Sequence, residues 1–279
     1  YAKMNLGMTV DGFKSIFWLE FIHRLVGGAI GLVFLLPFLF FLFRGWLDRR
    51  IIPMLSFFFI LGGLQGVLGW YMVKSGLVDE PDVSQYRLTA HLGLAVLIYA
   101  FMFRFALRLR QGFDSVRPMV APGLVRLRRV ARVLPFIVFL TLLSGGLVAG
   151  LDAGFTYNTF PLMEGMLIPD QLYDGSPAIM SAFEDIMTVQ FNHRWLAIAT
   201  LVVIGIFWTM SLRCRLGSVQ RRAMNLLILA VIGQVGLGIA TLLMVVPVAL
   251  GAMHQAGAVV LLSATIYALH TIEWGHVSK

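Results

Sequence analysis

The sequence predicts an all-α polytopic membrane protein with seven transmembrane helices in this chain, and three observations predict it. Hydrophobic residues fill 59% of the 279 positions and charged residues only 13%, with a mean hydropathy of +0.85, which is too apolar for a soluble domain of that length. The apolar residues gather into seven runs, each long enough to supply the roughly 20 residues that cross a bilayer. The basic residues behind the formal charge of +8 fall mainly in alternate connections between those runs. Their excess therefore reports membrane topology and not a nucleic-acid partner. A single cysteine, Cys214, excludes an internal disulfide and a cysteine metal cluster.

In chain order the runs cover 16–43, 51–73, 87–109, 132–151, 187–212, 222–246 and 249–270. The connection after the first carries Arg44, Arg49 and Arg50. The one after the third carries Arg108, Arg110, Arg117, Arg126, Arg128 and Arg129, and the one after the fifth Arg213, Arg215, Arg221 and Arg222. These are the inner connections, which puts Tyr1 outside and Lys279 inside. The longest outer connection, Asp152 to Ile186, has no lysine or arginine, and its stretch DAGFTYNTFPLMEG has the composition of an ordered cap over a site.

Four histidines occupy equivalent places near the heads of four runs: His23 in EFIHR, His91 in TAHLG, His193 in FNHR and His254 in AMHQAG. An internal repeat accounts for them. The first half reads His-Arg at 23–24, LQGVLG with Gln65, then His91; the second reads His-Arg at 193–194, GQVGLG with Gln234, then His254. His to Gln spans 42 residues in the first half (23 to 65) and 41 in the second (193 to 234). The run at 132–151 has no counterpart before His23. One further N-terminal helix is therefore expected upstream, giving eight helices in two pseudo-repeated four-helix bundles. The division is a first half-bundle at 1–110, a basic inner loop at 111–131 and a second bundle at 132–279.

All four histidines lie at similar shallow depth from the outer ends of their helices, so each half can set two imidazoles across its bundle at one level. A bis-histidine heme needs that arrangement. Glycines near them (Gly27, Gly28, Gly62, Gly63, Gly236, Gly238, Gly257 among others) would admit a flat macrocycle, although close packing of membrane helices explains them without one. Arg24 and Arg194 either pair with heme propionates or snorkel to lipid phosphate; the sequence leaves both open. Gln65 and Gln234 either meet a heme edge or join helices, and the second is the plainer role. His270 and His276 have no counterparts and are assigned no site. Glu20 breaks the symmetry, because it lies one turn from His23 while its equivalent is Gln190, which cannot ionise. A titratable group in one half only suggests chemistry in the first bundle and electron transfer in the second.

Through these residues the chain resembles the heme A synthase family, the membrane enzymes that supply heme A to cytochrome oxidase, in its mitochondrial and alphaproteobacterial branch. The similar segments run nearly end to end: MTVDGFKSIFWLEFIHRLVG, LQGVLGWYMVKSGL, VSQYRLTAHLG, LSGGLVAGLDAGFTYNTFPLM, VQFNHRWLAI, GQVGLGIATLLMVVP and HQAGAVVLL. The resemblance implies oxidation of the C8 methyl of heme O to the formyl group of heme A. It implies that His23 and His91 hold the substrate heme, that His193 and His254 hold the iron of a b-type heme, and that Glu20 is the catalytic carboxylate. It also implies a ferredoxin-type electron donor, with heme O synthase and cytochrome oxidase assembly factors as neighbours; a homo-oligomer is left open. The expected location is the mitochondrial inner membrane or a bacterial cytoplasmic membrane, with the heme sites toward the outer face. Some bacterial relatives carry a cysteine pair in an outer loop; this chain does not, so a thiol mechanism cannot apply. The alternatives from other classes are a diheme b-type membrane electron carrier and a cofactor-free scaffold or transporter.

Overall fold

The computed structural model describes residues 9–75, 83–112, 122–175 and 177–274. Arg117, His276 and most of the connection around Asp79 lie outside the described residues. The elements are α1 (Val10–Phe43), α2 (Ile52–Ser75), α3 (Gln85–Gln111), α4 (Pro122–Gly150), a 3₁₀ turn (Ala153–Phe155), α5 (Ala178–Glu184), α6 (Ile186–Leu212), α7 (Ser218–Leu243) and α8 (Val248–Trp274). All of the α-helices except α5 are long and apolar enough to cross a membrane, which makes seven. Each overlaps one of the expected spans. No strand occurs among the described residues; the nearest approach to one is an isolated bridge between Met163 and Met166.

The chain divides into two compact units, Tyr1–Arg87 and Leu88–Lys279. In the first, α1 and α2 form an antiparallel hairpin. Helix α1 starts where Thr9 caps it, its hydroxyl accepting from the Gly12 N–H at 3.1 Å. It ends where Gly45 turns into the left-handed region at φ +67, letting the Trp46 N–H reach the Phe41 carbonyl at 3.0 Å. Phe34 of α1 stacks on Phe59 of α2 with ring centroids 6.3 Å apart.

In the second unit the principal packings run α4 to α6, α6 to α7, α7 to α8 and α8 back to α4. That closed ring is a four-helix bundle in which α6 and α8 stand on one diagonal. Most of α3 belongs to this unit, although the sequence grouping placed it with α1 and α2. It lies against α4 and α8, where Gly93 faces Leu143 and the Tyr99 hydroxyl meets the Ser263 hydroxyl at 2.7 Å.

Helix α4 differs from its expected span by starting ten residues early. Leu124, Leu127, Ala131, Leu134, Val138 and Leu142 are all buried, and their three- and four-residue spacing forms one apolar stripe. The arginines between them face outward, so the C-terminal half of the expected basic loop is helix. At this arginine-rich end, buried Glu273 of α8 pairs with Arg104 of α3 at 3.0 Å and Arg132 of α4 at 3.5 Å. His270 sits one turn from Glu273, about 24 Å along α8 from His254.

At the opposite end the long connection between α4 and α6 folds onto the bundle as a cap. Asp152 takes a left-handed conformation to start it. The Asn158 amide then donates to Gly154 O at 2.7 Å and to Leu242 O at 2.9 Å, fastening the loop to the end of α7. Tyr173 fastens its far side to α6, its hydroxyl donating to Asn192 at 2.8 Å.

Candidate functional site

Helix α6 is started by Asp185, whose carboxylate accepts from the Thr188 N–H at 2.7 Å. One turn on, Gln190, His193 and Arg194 emerge on one face. Gln190 is buried and donates to Ala153 O in the cap at 2.8 Å. Arg194 donates to Gln190 Oε1 at 3.0 Å, to Tyr157 O at 2.6 Å and to Thr159 O at 2.7 Å. All three acceptors are neutral oxygens, two of them in the cap and one on the helix beneath it. Arg194 thus tethers the cap, and its Nε is buried without a hydrogen-bond partner among the described residues.

His193 is held through Nδ1, which lies 2.8 Å from the Ser144 hydroxyl of α4. Its Cε1 edge rests against Gly145, where an added Cβ would come within 3.1 Å. His254 of α8 is also contacted at Nδ1, in its case from α7. Its Nδ1 lies 3.1 Å from Gln234 Nε2, which also donates to the His254 carbonyl at 2.9 Å. Its Cε1 edge rests against Gly238, where an added Cβ would come within 2.8 Å. Gln234 therefore does join helices, as expected, and it also meets the imidazole. The two histidines sit on diagonal helices, each about 10 Å from the cap-side end of its helix.

That geometry bears on a heme. No cluster of three or more histidine, cysteine, aspartate or glutamate side chains suited to a metal occurs among the described residues. A heme iron needs fewer, because the macrocycle supplies four nitrogens and the protein one or two. Axial histidines coordinate through one ring nitrogen while the other is oriented by a neighbour. Both His193 and His254 have Nδ1 occupied and, among the described residues, no hydrogen bond to Nε2, and in both the ring edge fills a recess that glycine leaves. The residues present fit the group.

In the first unit, Glu20 pairs with Arg24 at 3.6 Å, both side chains being more than half exposed. Lys14, the other cation near Glu20 in sequence, pairs instead with Asp11 at 3.2 Å. His23 is exposed on α1, whereas His91, on α3 in the second unit, is half-buried. The expected pairing of His23 with His91 joins residues of the two units. Sequence reasoning did not find Ser144 or the role of Gly145 and Gly238. The signal available was SGG at 144–146 inside an apolar helix, a small polar residue followed by room for a ring.

Comparisons with known proteins identify the family of the chain. The family COX15-CtaA, cytochrome oxidase assembly protein, matches residues 1–266. A protein of Nitrosospira multiformis named heme A synthase is 49% identical over 98% of this chain and 76% of its own length. Proteins of the same name from Paramagnetospirillum magneticum and Nitrosomonas eutropha are 49% and 47% identical, over 98% and 96% of this chain and 76% and 75% of their own lengths. No solved structure matches the chain.

Proposed function

The chain belongs to the COX15-CtaA family of cytochrome oxidase assembly proteins, and from that premise we propose that it is an oxidoreductase converting heme O to heme A, as its relatives named heme A synthase do. The reaction is the oxidation of the C8 methyl group of heme O to a formyl group. His23 and His91 hold the substrate heme, in keeping with their places in the repeat. His193 and His254 hold a b-type heme, whose iron when bound supplies one-electron transfer to and from a ferredoxin-type partner. The observation that carries this assignment is that both imidazoles are held at Nδ1 at one depth on diagonal helices, with no hydrogen bond to either Nε2 among the described residues.

Oxidising a methyl group releases protons along with electrons. Glu20 is the titratable group one turn from His23, and its carboxylate accepts a proton from the reacting carbon's side. It pairs with Arg24 at 3.6 Å. Arg24 also lies beside His23 and donates to a propionate of the substrate heme. Arg194 holds the cap over the second heme and offers a propionate its unpartnered Nε. The arginine-rich end faces the inner compartment and the cap end the outer one, so both hemes lie toward the outer face of an energy-transducing membrane.

Extraction of pigment from the purified protein tests the reading. A heme A synthase yields heme O, heme A or an alcohol between them beside heme b. A diheme electron carrier would yield heme b alone, and that result would overturn the assignment.

A further inference from the structure

Hydrogen counting at the two imidazoles shows that they are not held alike. The Ser144 hydroxyl oxygen lies 2.7 Å from Thr141 O. A carbonyl has no hydrogen to give, so the single Ser144 hydrogen must lie on that line. Ser144 can then only accept from His193, whose Nδ1 carries the hydrogen and whose Nε2 carries the lone pair. At His254 the logic reverses. The atom of Gln234 facing the His254 carbonyl at 2.9 Å must be the amide nitrogen, since two oxygens there would repel. That same nitrogen lies 3.1 Å from His254 Nδ1 and points its second hydrogen at the ring. Nδ1 is therefore the acceptor, and the ring hydrogen sits on Nε2. Gln234 Oε1 is buried without a hydrogen-bond partner and lies over Gly257, where any Cβ would collide with it.

We propose that Ser144 and Gln234 are positioning residues that make the two axial ligands of the b-type heme unequal, Ser144 presenting His193 ready to coordinate and Gln234 opposing coordination by His254. The inference rests on the reading of His193 and His254 as the heme ligands. For His254 to coordinate, its ring hydrogen must pass from Nε2 to Nδ1, with no net change of charge. The Gln234 N–H must also leave Nδ1, so that the unpartnered Oε1 can take the new Nδ1–H. His254 is consequently the weaker and more readily displaced ligand, and Gln234 sets how readily it leaves.

Carbon monoxide tests this, because it binds ferrous heme b only as fast as an axial histidine departs. In the purified heme-loaded protein, Gln234→Met and Gln234→Leu remove the opposing N–H, so carbon monoxide binding should slow by about tenfold or more, the scale on which partners of ligating histidines act. If Gln234 only joins α7 to α8, its loss loosens the site and speeds binding. A faster or unchanged rate overturns the proposal. Ser144→Ala should weaken heme b retention by about 10- to 100-fold and Ser144→Thr should restore it; unchanged retention in Ser144→Ala also overturns it. The underlying assignment is checked separately by His193→Ala and His254→Ala. Should both keep the normal heme b spectrum, the ligand assignment itself is wrong; should both lose it while Gln234→Met speeds carbon monoxide binding, only the present inference fails.

Discussion

Glu20 and Gln190 each stand four residues before an arginine and face it, Glu20 at 3.6 Å from Arg24 and Gln190 at 3.0 Å from Arg194. Glutamine therefore serves that position as an acceptor, and a Glu20→Gln change removes ionisation with little else. The variant is expected to keep its heme b while turnover of heme O to heme A falls by about 10² to 10⁴. The heme O to heme A ratio in the extracted pigment reads this, with heme b as the folding control, and near-normal heme A would show Glu20 to be only an exposed ion-pair partner. A second residue-scale expectation concerns the recess behind each imidazole. A Cβ on Gly238 would stand 2.8 Å from His254 Cε1, so Gly238→Ala must push the ring aside and should lower heme b affinity by about 10- to 100-fold. Gly205→Ala, where nothing lies within 4 Å, is the control, and equal heme b content in the two variants would refute the recess.

Two elements carry most of the site's support, the cap and α4. Arg194 holds the cap by donating to Tyr157 O and Thr159 O, two bonds that a planar guanidinium can make together and a lysine ammonium cannot reproduce at the same reach. Arg194→Lys should therefore loosen the loop. Charged hydrogen bonds contribute about 1.5–3 kcal/mol each, so amide exchange over 153–160 is expected to quicken by about tenfold or more; unchanged exchange would mean the tether is idle. The early start of α4 at Pro122 affects how topology is tested. A reporter fused within the basic stretch at 122–131 would break the helix, so it belongs after Gly112, where inside activity is expected, with a partner after Gly165 in the cap reading outside. The reverse pattern would overturn the orientation argued from the arginines.

At the scale of the whole second unit, Glu273 ties α8 to α3 and α4 through Arg104 and Arg132. The carboxylate is buried and the arginines are half exposed, so the pair is only partly desolvated and its loss costs less than a wholly buried one would. Glu273→Gln is expected to destabilise the protein by about 1–3 kcal/mol, measured as thermal loss of the heme b spectrum in detergent. The tie lies far from His254, so the spectrum before heating should be normal. A shifted spectrum would mean that the two ends of the bundle are coupled.

The sequence by itself determined the class, the seven spans, the shared depth of His193 and His254 and the family. These properties are local, because apolarity over about 20 residues decides a span and a histidine's depth follows from its distance along one helix. The start of α4 was also locally encoded, in the spacing of Leu124, Leu127 and Ala131, but the arginines between them suggested a loop to any average over the segment. What only the tertiary structure decided is which atoms meet. Ser144 and His193 are 49 residues apart, and Gln190 meets Ala153 across 37. No periodicity encodes such pairs, since they arise when buried donors and acceptors must find partners among whatever the packed helices bring near. The direction of Arg194 was settled in the same way, toward cap carbonyls that become acceptors only after the loop has folded back. The hydrogen on each imidazole is the furthest such consequence. It depends on Thr141 O and His254 O, two backbone carbonyls whose roles appear only once the helices are in contact.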